Sequence, residues 1–362
     1  MKKCYLITMS GVKNYGSALQ TFSTSELFKQ FGVEVIVINY YREDILEKNL
    51  LCSWCGKNFI KKIILYPTIK KWNKVFTSFY KKNICFTQKI YTYESDFVDF
   101  PLDGDFYCVG SDQVWNSQWN KGIINPLYLS FVPDYKIKFA FSSSFGKTSL
   151  SNDEIKKTKK FLESFKKISI REESGLNILE NQYKIKGQRI IDPTLCFSGE
   201  FWKKLSNKSF FNYNYILIYN LNSDKRFDDY ARKISKLTGI KLVRLCTRYD
   251  QIVRCGKSVL VPNVEDFVGL IANAKYVLTD SFHATAFSIN LGVEPICIYP
   301  NNFKCRLSDF LELVQCETRH AIDYNDFDVI NRHIDFNNVK KILNNERKVA
   351  FDFLKNIFEC KD

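Results

Sequence analysis

Acidic residues, histidine and long apolar runs are all scarce in this sequence. Its 362 residues include 39 Asp and Glu and 3 His against 53 Lys and Arg, so the formal net charge is +14 at pH 7. No apolar run approaches the roughly 18 to 20 residues that span a bilayer, and the opening MKKCYLITMSG turns polar too early for a secretory signal. We therefore expect a cytoplasmic protein. Its positive charge favours polyanions, phosphorylated small molecules or the anionic inner face of the membrane as partners.

Motifs for metal binding and for nucleic-acid binding are also missing. Most of the 12 cysteines lie in apolar segments, where reduced Cys packs as a small apolar side chain. Cys52 and Cys55 form one CxxC without a second pair at zinc-ribbon spacing, so we expect no metal. The lysines are scattered, and no zinc-finger, helix-turn-helix or RNP-like pattern accompanies them. We expect no nucleic-acid partner.

The N-terminal segment CYLITMSGVKNYGSALQTFSTSELFKQFGVEVIVINYY predicts a strand, a glycine-bearing loop, a helix and a second strand. Gly11 and Gly16 have the spacing of a phosphate loop, but Ser17 and Ala18 stand where that loop needs Lys and Ser or Thr. A nucleoside triphosphate site is therefore not expected. The remaining interpretation is a loop that lies over a helix N-terminus.

The stretch TDSFHATAFSINLG, residues 279–292, contains one of the three histidines. An apolar strand, KYVL, precedes it, and the apolar residues of FHATAFSINL then recur on one face of a helix. His283 therefore falls in a first helical turn, with Asp280 or Ser281 as its cap. Such a turn points unpaired N–H groups toward the carboxyl edge of a sheet, where anions bind. The alternative is a histidine that is merely solvated or hydrogen-bonded.

The alternating strands and helices predict an α/β protein of two Rossmann-like βαβ domains that face each other across a cleft. The N-terminal domain is expected over residues 1–205, with a lysine-rich helical insertion at about 52–95. A second series, from YILIYNL onward, predicts a C-terminal domain over 206–335. The final segment, 336–362, carries apolar residues at helical spacing and predicts a long helix that closes back across the domains.

Four segments together resemble the polysaccharide pyruvyl transferase family: NYGSALQTF, VGSDQVWN, ISIREESGLNIL with IIDPTL, and VLTDSFHATAFSI. Members transfer pyruvate from phosphoenolpyruvate to sugar hydroxyls during assembly of bacterial cell-surface glycans such as capsules and exopolysaccharides. The resemblance runs from about Cys4 to Phe358. It implies a GT-B-like fold, phosphoenolpyruvate as donor, no cofactor, and a lipid-linked or nucleotide-linked sugar as acceptor.

The resemblance also marks individual residues. It implies that His283 is the histidine of the S-F-H motif and that Arg171 is the arginine of the S-[IV]-R-E/D motif. A basic residue about twenty positions after the histidine would be Arg306 or Lys304. Many members carry Gly after the histidine, whereas this chain has Ala284. Alanine is the better helix former by roughly 0.8–1.0 kcal/mol, so the helix is expected to form.

The chemistry of phosphoenolpyruvate agrees with these residue types. Its phosphate and carboxylate call for a helix N-terminus and at least two cations, which Arg171 and Arg306 would supply. Ser281, at the start of the helix, is placed on the same donor side. Ketal formation also needs a group that moves protons near neutral pH, and we expect His283 to do so.

The acceptor side is expected to involve a carboxylate and an aromatic ring. Asp112 is the best candidate to orient or deprotonate the acceptor hydroxyl, with a turn-forming role as the alternative. Asp192 is expected to hold a strand exit. Four further residues are predicted to line the acceptor: Asn14, Tyr15, Gly16 and Trp115. Helix capping is the alternative for the first three, and core packing is the alternative for the tryptophan.

Two other functions stay open at this point. A nucleotide-sugar glycosyltransferase would need a diphosphate site with an acidic residue for the ribose, for which Asp309 and Glu312 are weak candidates. A non-catalytic basic scaffold would rest on the membrane surface. The lysine-rich stretch 57–82 mixes cations with Ile and Trp, a composition typical of a membrane interface. Its alternative is a solvated helix whose apolar stripe packs on the N-terminal domain.

Overall fold

The structure, a computed structural model, describes residues 1–206, 208–222, 224–300 and 304–359. The chain forms two compact units, which we call the first and the second unit. The first unit comprises Met1–Leu46, Tyr80–Cys196 and the chain from Asn344 onward. The second unit comprises Glu47–Phe79 and Phe197–Leu343. In the described part of the chain, no helix combines the length and the apolarity needed to cross a membrane.

The described residues form eleven strands and twelve α-helices. The strands are β1 Lys2–Ile7, β2 Val33–Val37, β3 Phe106–Val109, β4 Ile137–Ser143, β5 Lys167–Ile170, β6 Gln188–Arg189, β7 Tyr215–Tyr219, β8 Lys241–Cys246, β9 Lys257–Leu260, β10 Tyr276–Thr279 and β11 Glu294–Cys297. The helices are α1 Tyr15–Lys29, α2 Glu47–Cys55, α3 Phe59–Asn83, α4 Glu94–Asp99, α5 Asn152–Glu163, α6 Glu173–Asn177, α7 Gly199–Leu205, α8 Lys225–Thr238, α9 Val264–Ala272, α10 Phe282–Leu291, α11 Cys305–Leu313 and α12 Phe336–Phe358.

The first unit is built on a parallel six-stranded sheet in the order β2-β1-β3-β4-β5-β6. Its central strand β3, FYCV, is buried at every position, as expected for a strand covered on both faces. The chain runs from β1 outward to β2 and then returns to the other side of β1 with β3. The carboxyl ends of β1 and β3 therefore flank a topological switch point, where ligands of open α/β sheets bind.

The second unit is built on a parallel five-stranded sheet in the order β11-β10-β7-β8-β9. Here the chain runs outward from β7 through β8 to β9, and β10 then pairs with the other side of β7. The switch point of this sheet lies between the carboxyl ends of β7 and β10. Both strands are fully buried, which confirms the two runs YILIY and KYVL as core strands. The fold is therefore α/β with two parallel sheets, as predicted.

The helical insertion packs differently from the prediction. Residues 47–79 belong to the second unit, whereas the sequence analysis placed the insertion in the N-terminal domain. The indole Nε1 of Trp72 donates to the carbonyl of Thr247 at 2.6 Å, and the Thr68 hydroxyl accepts from the backbone N–H of Tyr249 at 3.0 Å. These bonds fix α3 to the loop that follows β8.

Helix α12 was predicted as a closing helix, and its larger part belongs to the first unit. The ring of Phe358 lies edge-on against Phe28 and Phe106, with centroids 5.1 and 5.0 Å apart. The Arg347 guanidinium donates through Nε to the carbonyl of Leu195 at 2.9 Å. The last three residues of the predicted segment lie outside the described residues.

Candidate active site

The switch point of the first unit joins the start of α1 to the end of β3. Asn14 caps α1, since its Oδ1 accepts from the backbone N–H of Gly16 at 2.8 Å. Ser17, in the first turn, donates its hydroxyl to Asp112 Oδ2 at 2.7 Å. The Asn14 side chain therefore has the capping role that the sequence left open, and Asp112 lies at the N-terminus of α1.

Asp112 has two features that favour a chemical role. Its φ of 78° is in the left-handed region, which costs a non-glycine residue on the order of 1 kcal/mol or more. Its side chain is partly exposed, whereas the preceding Ser111 is completely buried. Its Oδ1 accepts from the adjacent Gln113 N–H at 2.9 Å, so a turn-forming contact is present as well.

Arg171 follows β5 and lies in a buried cluster of charges. Its Nη1 donates to Asp192 Oδ2 at 2.9 Å, and its Nε donates to Glu172 Oε1 at 2.8 Å. All three side chains are at most 3% exposed. Burial disfavours the guanidinium charge, but the carboxylates of Glu172, Asp192 and Asp112 together raise the pKa of Arg171 above its ordinary value.

The two carboxylates beside Arg171 differ in how they are satisfied. Asp192 also accepts from the Ser111 hydroxyl at 3.1 Å and from the N–H and hydroxyl of Thr194 at 3.0 and 2.7 Å. It holds the exit of β6, as the sequence predicted. Glu172 Oε1 also accepts from Ser144 at 2.9 Å, whereas its Oε2 is buried and accepts no hydrogen bond within the described residues. Sequence reasoning did not single out Glu172.

Three of the predicted acceptor residues are buried. Trp115 is 1% exposed, stacks on Tyr128 with centroids 5.6 Å apart, and donates its Nε1 to the carbonyl of Leu127 at 2.8 Å. No ring face is left for a sugar, so the stacking prediction is wrong and the core alternative is correct. Tyr15 is 2% exposed, and Gly16 beside it is buried as well. Neither lines an open acceptor surface in this structure.

The switch point of the second unit contains the histidine motif. Ser281 caps α10, because its hydroxyl accepts from the backbone N–H of Ala284 at 3.4 Å. His283 lies in the first turn, as predicted, and is 6% exposed. Its ring packs edge-on against Phe282 with centroids 5.2 Å apart.

The Asp280 carboxylate fixes the loop after β7, whereas Ser281 caps helix α10. The Asp280 carboxylate accepts from the backbone N–H groups of Leu221 and Asn222 at 2.8 and 3.0 Å. It also accepts from the side-chain amides of Asn220 and Asn222, both at 2.8 Å. Burial raises the pKa of Asp280 above its ordinary value, although these hydrogen bonds act in the opposite direction. The loop after β7 is thereby fixed to the end of β10.

The two predicted basic residues lie at the start of α11. Phe310 of α11 packs against Phe282 of α10 with ring centroids 5.6 Å apart. Arg306 lies one turn before Phe310 and is partly buried, so it shares the face of α11 that contacts the first turn of α10. Lys304 is exposed. Residues 301–303, between β11 and these cations, lie outside the described residues.

A cavity of about 540 Å³ opens at the same switch point. It is lined by the residues after β7, the start of α8 and the residues after β11. Lys225 and Arg226 supply cations to its lining, while Asp224 and Asp280 supply carboxylates. Sequence reasoning missed this cavity. Its only signal was the polar pair of asparagines in YNLN directly after an apolar strand.

Metal binding was not expected from the single CxxC. Across the described ranges, no three His, Cys, Asp or Glu side chains form a group that could hold a metal ion. The Sγ of Cys52 lies 3.8 Å from the Lys62 ammonium nitrogen.

Comparison with solved structures identifies the fold. A UDP-GlcNAc 2-epimerase from Methanocaldococcus jannaschii is 11% identical with a TM-score of 0.53, over 99% of this chain and 100% of that one. A candidate UDP-N-acetylglucosamine 2-epimerase from Listeria monocytogenes is 9% identical with a TM-score of 0.56, over 100% and 97%. A UDP-glucosyltransferase from Polygonum tinctorium is 10% identical with a TM-score of 0.50, over 100% and 99%. These likenesses show a GT-B fold.

Comparison of sequences identifies the family. No curated protein matches the chain significantly. The sequence model of the polysaccharide pyruvyl transferase family matches residues 14–302, a span that runs from the N-cap of α1 past the end of β11 and makes up most of the chain. The chain therefore belongs to the polysaccharide pyruvyl transferase family.

Proposed function

We propose that this protein transfers pyruvate from phosphoenolpyruvate to two hydroxyls of a sugar, forming a cyclic ketal during assembly of a cell-surface polysaccharide. The family match supports pyruvyl transfer. The observation that carries the proposal is the first turn of α10, where a histidine and a serine cap follow a buried strand at a switch point. A lipid-linked or a nucleotide-linked sugar is the proposed acceptor.

The proposed donor site is the first turn of α10 with the cation of α11. A helix N-terminus carries about half a positive charge and unsatisfied N–H groups, which suit the phosphate or carboxylate of phosphoenolpyruvate. Arg306 is the stronger donor ligand, because it shares the face of α11 that contacts α10. Lys304 remains the alternative, since its exposed ammonium is a flexible point charge.

The proposed reaction consumes only the donor and the acceptor, without a cofactor. His283 delivers a proton to the methylene carbon of phosphoenolpyruvate, and the cation that forms at C2 is attacked by one sugar hydroxyl. The bond from C2 to the phosphate oxygen then breaks and inorganic phosphate leaves, with Arg306 or Lys304 stabilising its charge. A second hydroxyl adds to C2 and loses its proton, which closes the ketal.

Asp112 is the proposed base for the acceptor hydroxyl. It is partly exposed, held by Ser17 at the N-terminus of α1, and kept in a strained backbone conformation. Arg171 receives a different assignment from the one its motif implies. Its guanidinium is already held by the carboxylates of Glu172 and Asp192, which compete with any bound anion for its charge. We expect Arg171 to position these carboxylates.

The test is a transfer assay with phosphoenolpyruvate and candidate lipid-linked or nucleotide-linked sugars, read as phosphate release and as pyruvyl mass gain on the sugar. We expect the wild type to release phosphate and to pyruvylate one sugar class. His283→Gln is expected to lose turnover by about 10²–10⁴-fold. Because His283 is buried, the melting temperature of the variant is measured in parallel.

Two results would contradict the proposal. Near wild-type turnover in a folded His283→Gln variant would remove the histidine from the chemistry. Binding of nucleotide sugars without any response to phosphoenolpyruvate would favour a glycosyltransferase, the second function that the GT-B fold accommodates.

A further inference from the structure

Helix α3 exposes an unusual number of large apolar side chains over its first two turns. Five of them lie within eight residues and form what we call the α3 apolar face: Phe59 at 72%, Ile60 at 71%, Ile63 at 58%, Ile64 at 50% and Tyr66 at 46% exposure. They recur at three- and four-residue intervals, so they share one side of the helix. Contiguous exposed apolar groups of this kind mark interaction surfaces.

The α3 apolar face belongs to a helix whose other side is firmly packed. The other side of α3 is buried through Leu65 and Ile69, which are 0% and 1% exposed. Trp72 and Thr68 hydrogen-bond to the chain after β8, as described above. The helix is therefore seated on the carboxyl edge of the second sheet by one stripe, while its opposite stripe stays in contact with solvent.

The charged side chains of this segment have one sign only. Residues 57–79 contain six lysines and no Asp or Glu. Lys70, Lys71 and Lys74 are exposed and continue the same side of the helix after the apolar residues. The ammonium of Lys70 lies 4.9 Å from the centre of the Tyr66 ring, which joins the two halves of the surface. A partner must therefore be both apolar and anionic.

We infer that the α3 apolar face docks on an anionic phospholipid bilayer. Its aromatic and aliphatic side chains would enter the boundary between headgroups and acyl chains, while the lysines contact the headgroup phosphates. A second copy of the chain fits less well, because a two-fold interface places each patch against itself and would bring two sets of six lysines together without a carboxylate. This inference does not depend on the proposed reaction.

The test is flotation of the full-length protein with phosphatidylcholine vesicles, with and without phosphatidylglycerol, at low and at high salt. We expect binding to the anionic vesicles alone and a loss of binding at high salt. The double variant Ile60→Glu, Ile63→Glu is expected to bind anionic vesicles about tenfold or more weakly. Circular dichroism confirms that it folds.

A matched control adds the same charges elsewhere on the second unit. Leu237 and Ile322 are 60% and 78% exposed and lie outside α3 and the loop that follows β8, so Leu237→Glu with Ile322→Glu changes net charge and surface apolarity in the same way at other positions. We expect this control to bind like the wild type. The inference is overturned if the wild type does not bind anionic vesicles, or if the control loses binding equally. It is also overturned if sedimentation shows a dimer that Ile60→Glu, Ile63→Glu dissociates.

Discussion

Substitutions of Arg171 can distinguish a residue that binds the donor from one that positions neighbouring carboxylates. Its guanidinium makes charged hydrogen bonds to Asp192 and to Glu172, in a site that is almost fully buried. A lysine retains the charge but reaches one carboxylate as a point charge, so Arg171→Lys loses about one such bond, or about 1.5–3 kcal/mol. Arg171→Met leaves two buried carboxylates uncompensated and should cost about 3–5 kcal/mol.

The expected result is a loss of stability that is confined to the first unit. Because the chain forms two compact units, hydrogen exchange in urea, measured on peptides of the first unit, is the suitable assay. Arg319→Lys serves as the control, since Arg319 is a buried arginine of the second unit that donates to the carbonyls of Pro295 and Val329. It should weaken protection in the second unit alone.

The same variants measure phosphoenolpyruvate affinity by calorimetry. If Arg171 positions carboxylates, Arg171→Lys changes the dissociation constant by less than about tenfold. A direct contact with the donor would instead cost about ten- to a hundredfold, because a bidentate fork becomes a point charge. The reasoning is refuted by a variant that keeps wild-type protection in the first unit yet binds phosphoenolpyruvate much more weakly.

Two further predictions concern Asp112 and His320. The Asp112→Asn variant should fold, since asparagine tolerates a φ of 78°. Its turnover should fall by about 10²–10⁴-fold, while its affinity for the donor stays unchanged. Full turnover would show that Asp112 only forms a turn. His320 stacks on Tyr299, and burial lowers its pKa below 6.5, while nearby Asp326 acts in the opposite direction. Its neutral ring is therefore favoured on folding, so stability of the second unit should fall as pH drops below 6.5 and level off below the folded pKa. His320→Gln should flatten this dependence, and an unchanged pH profile would contradict it.

The central strands of both sheets were predictable because burial on both faces leaves a continuous apolar run. FYCV, YILIY and YVLT show this directly. The edge strand β9, KSVL, was not predicted, because none of its residues is fully buried and its sequence has no clear period. A strand can therefore be predicted from sequence more easily when more of its residues are buried.

Packing partners far apart in sequence were not predictable from local pattern. The N-terminal domain was given as the alternative packing partner for the apolar stripe of 57–82, whereas Trp72 hydrogen-bonds to Thr247 of the second unit, 175 positions later. Trp115 illustrates the same limit, since a tryptophan suits both a core and a sugar site until its neighbours are known. The cavity of about 540 Å³ is lined by four segments that are far apart in sequence, and it has no periodic signature.

The two switch points show why an acid after a strand is not by itself a functional signal. VGSDQ places Asp112 after β3, and VLTDS places Asp280 after β10, so the two segments look alike in sequence. Asp280 is buried and accepts four hydrogen bonds that fix the loop after β7, which uses its oxygens for structure. Asp112 is partly exposed in a strained turn, where Ser17 and the adjacent N–H of Gln113 donate to its carboxylate. A buried carboxylate that holds a loop through four hydrogen bonds cannot take a proton from a substrate without breaking those bonds. Burial and loop-holding bonds, rather than place in the chain, therefore separate Asp280, a structural acid, from the partly exposed Asp112, which we propose as the base.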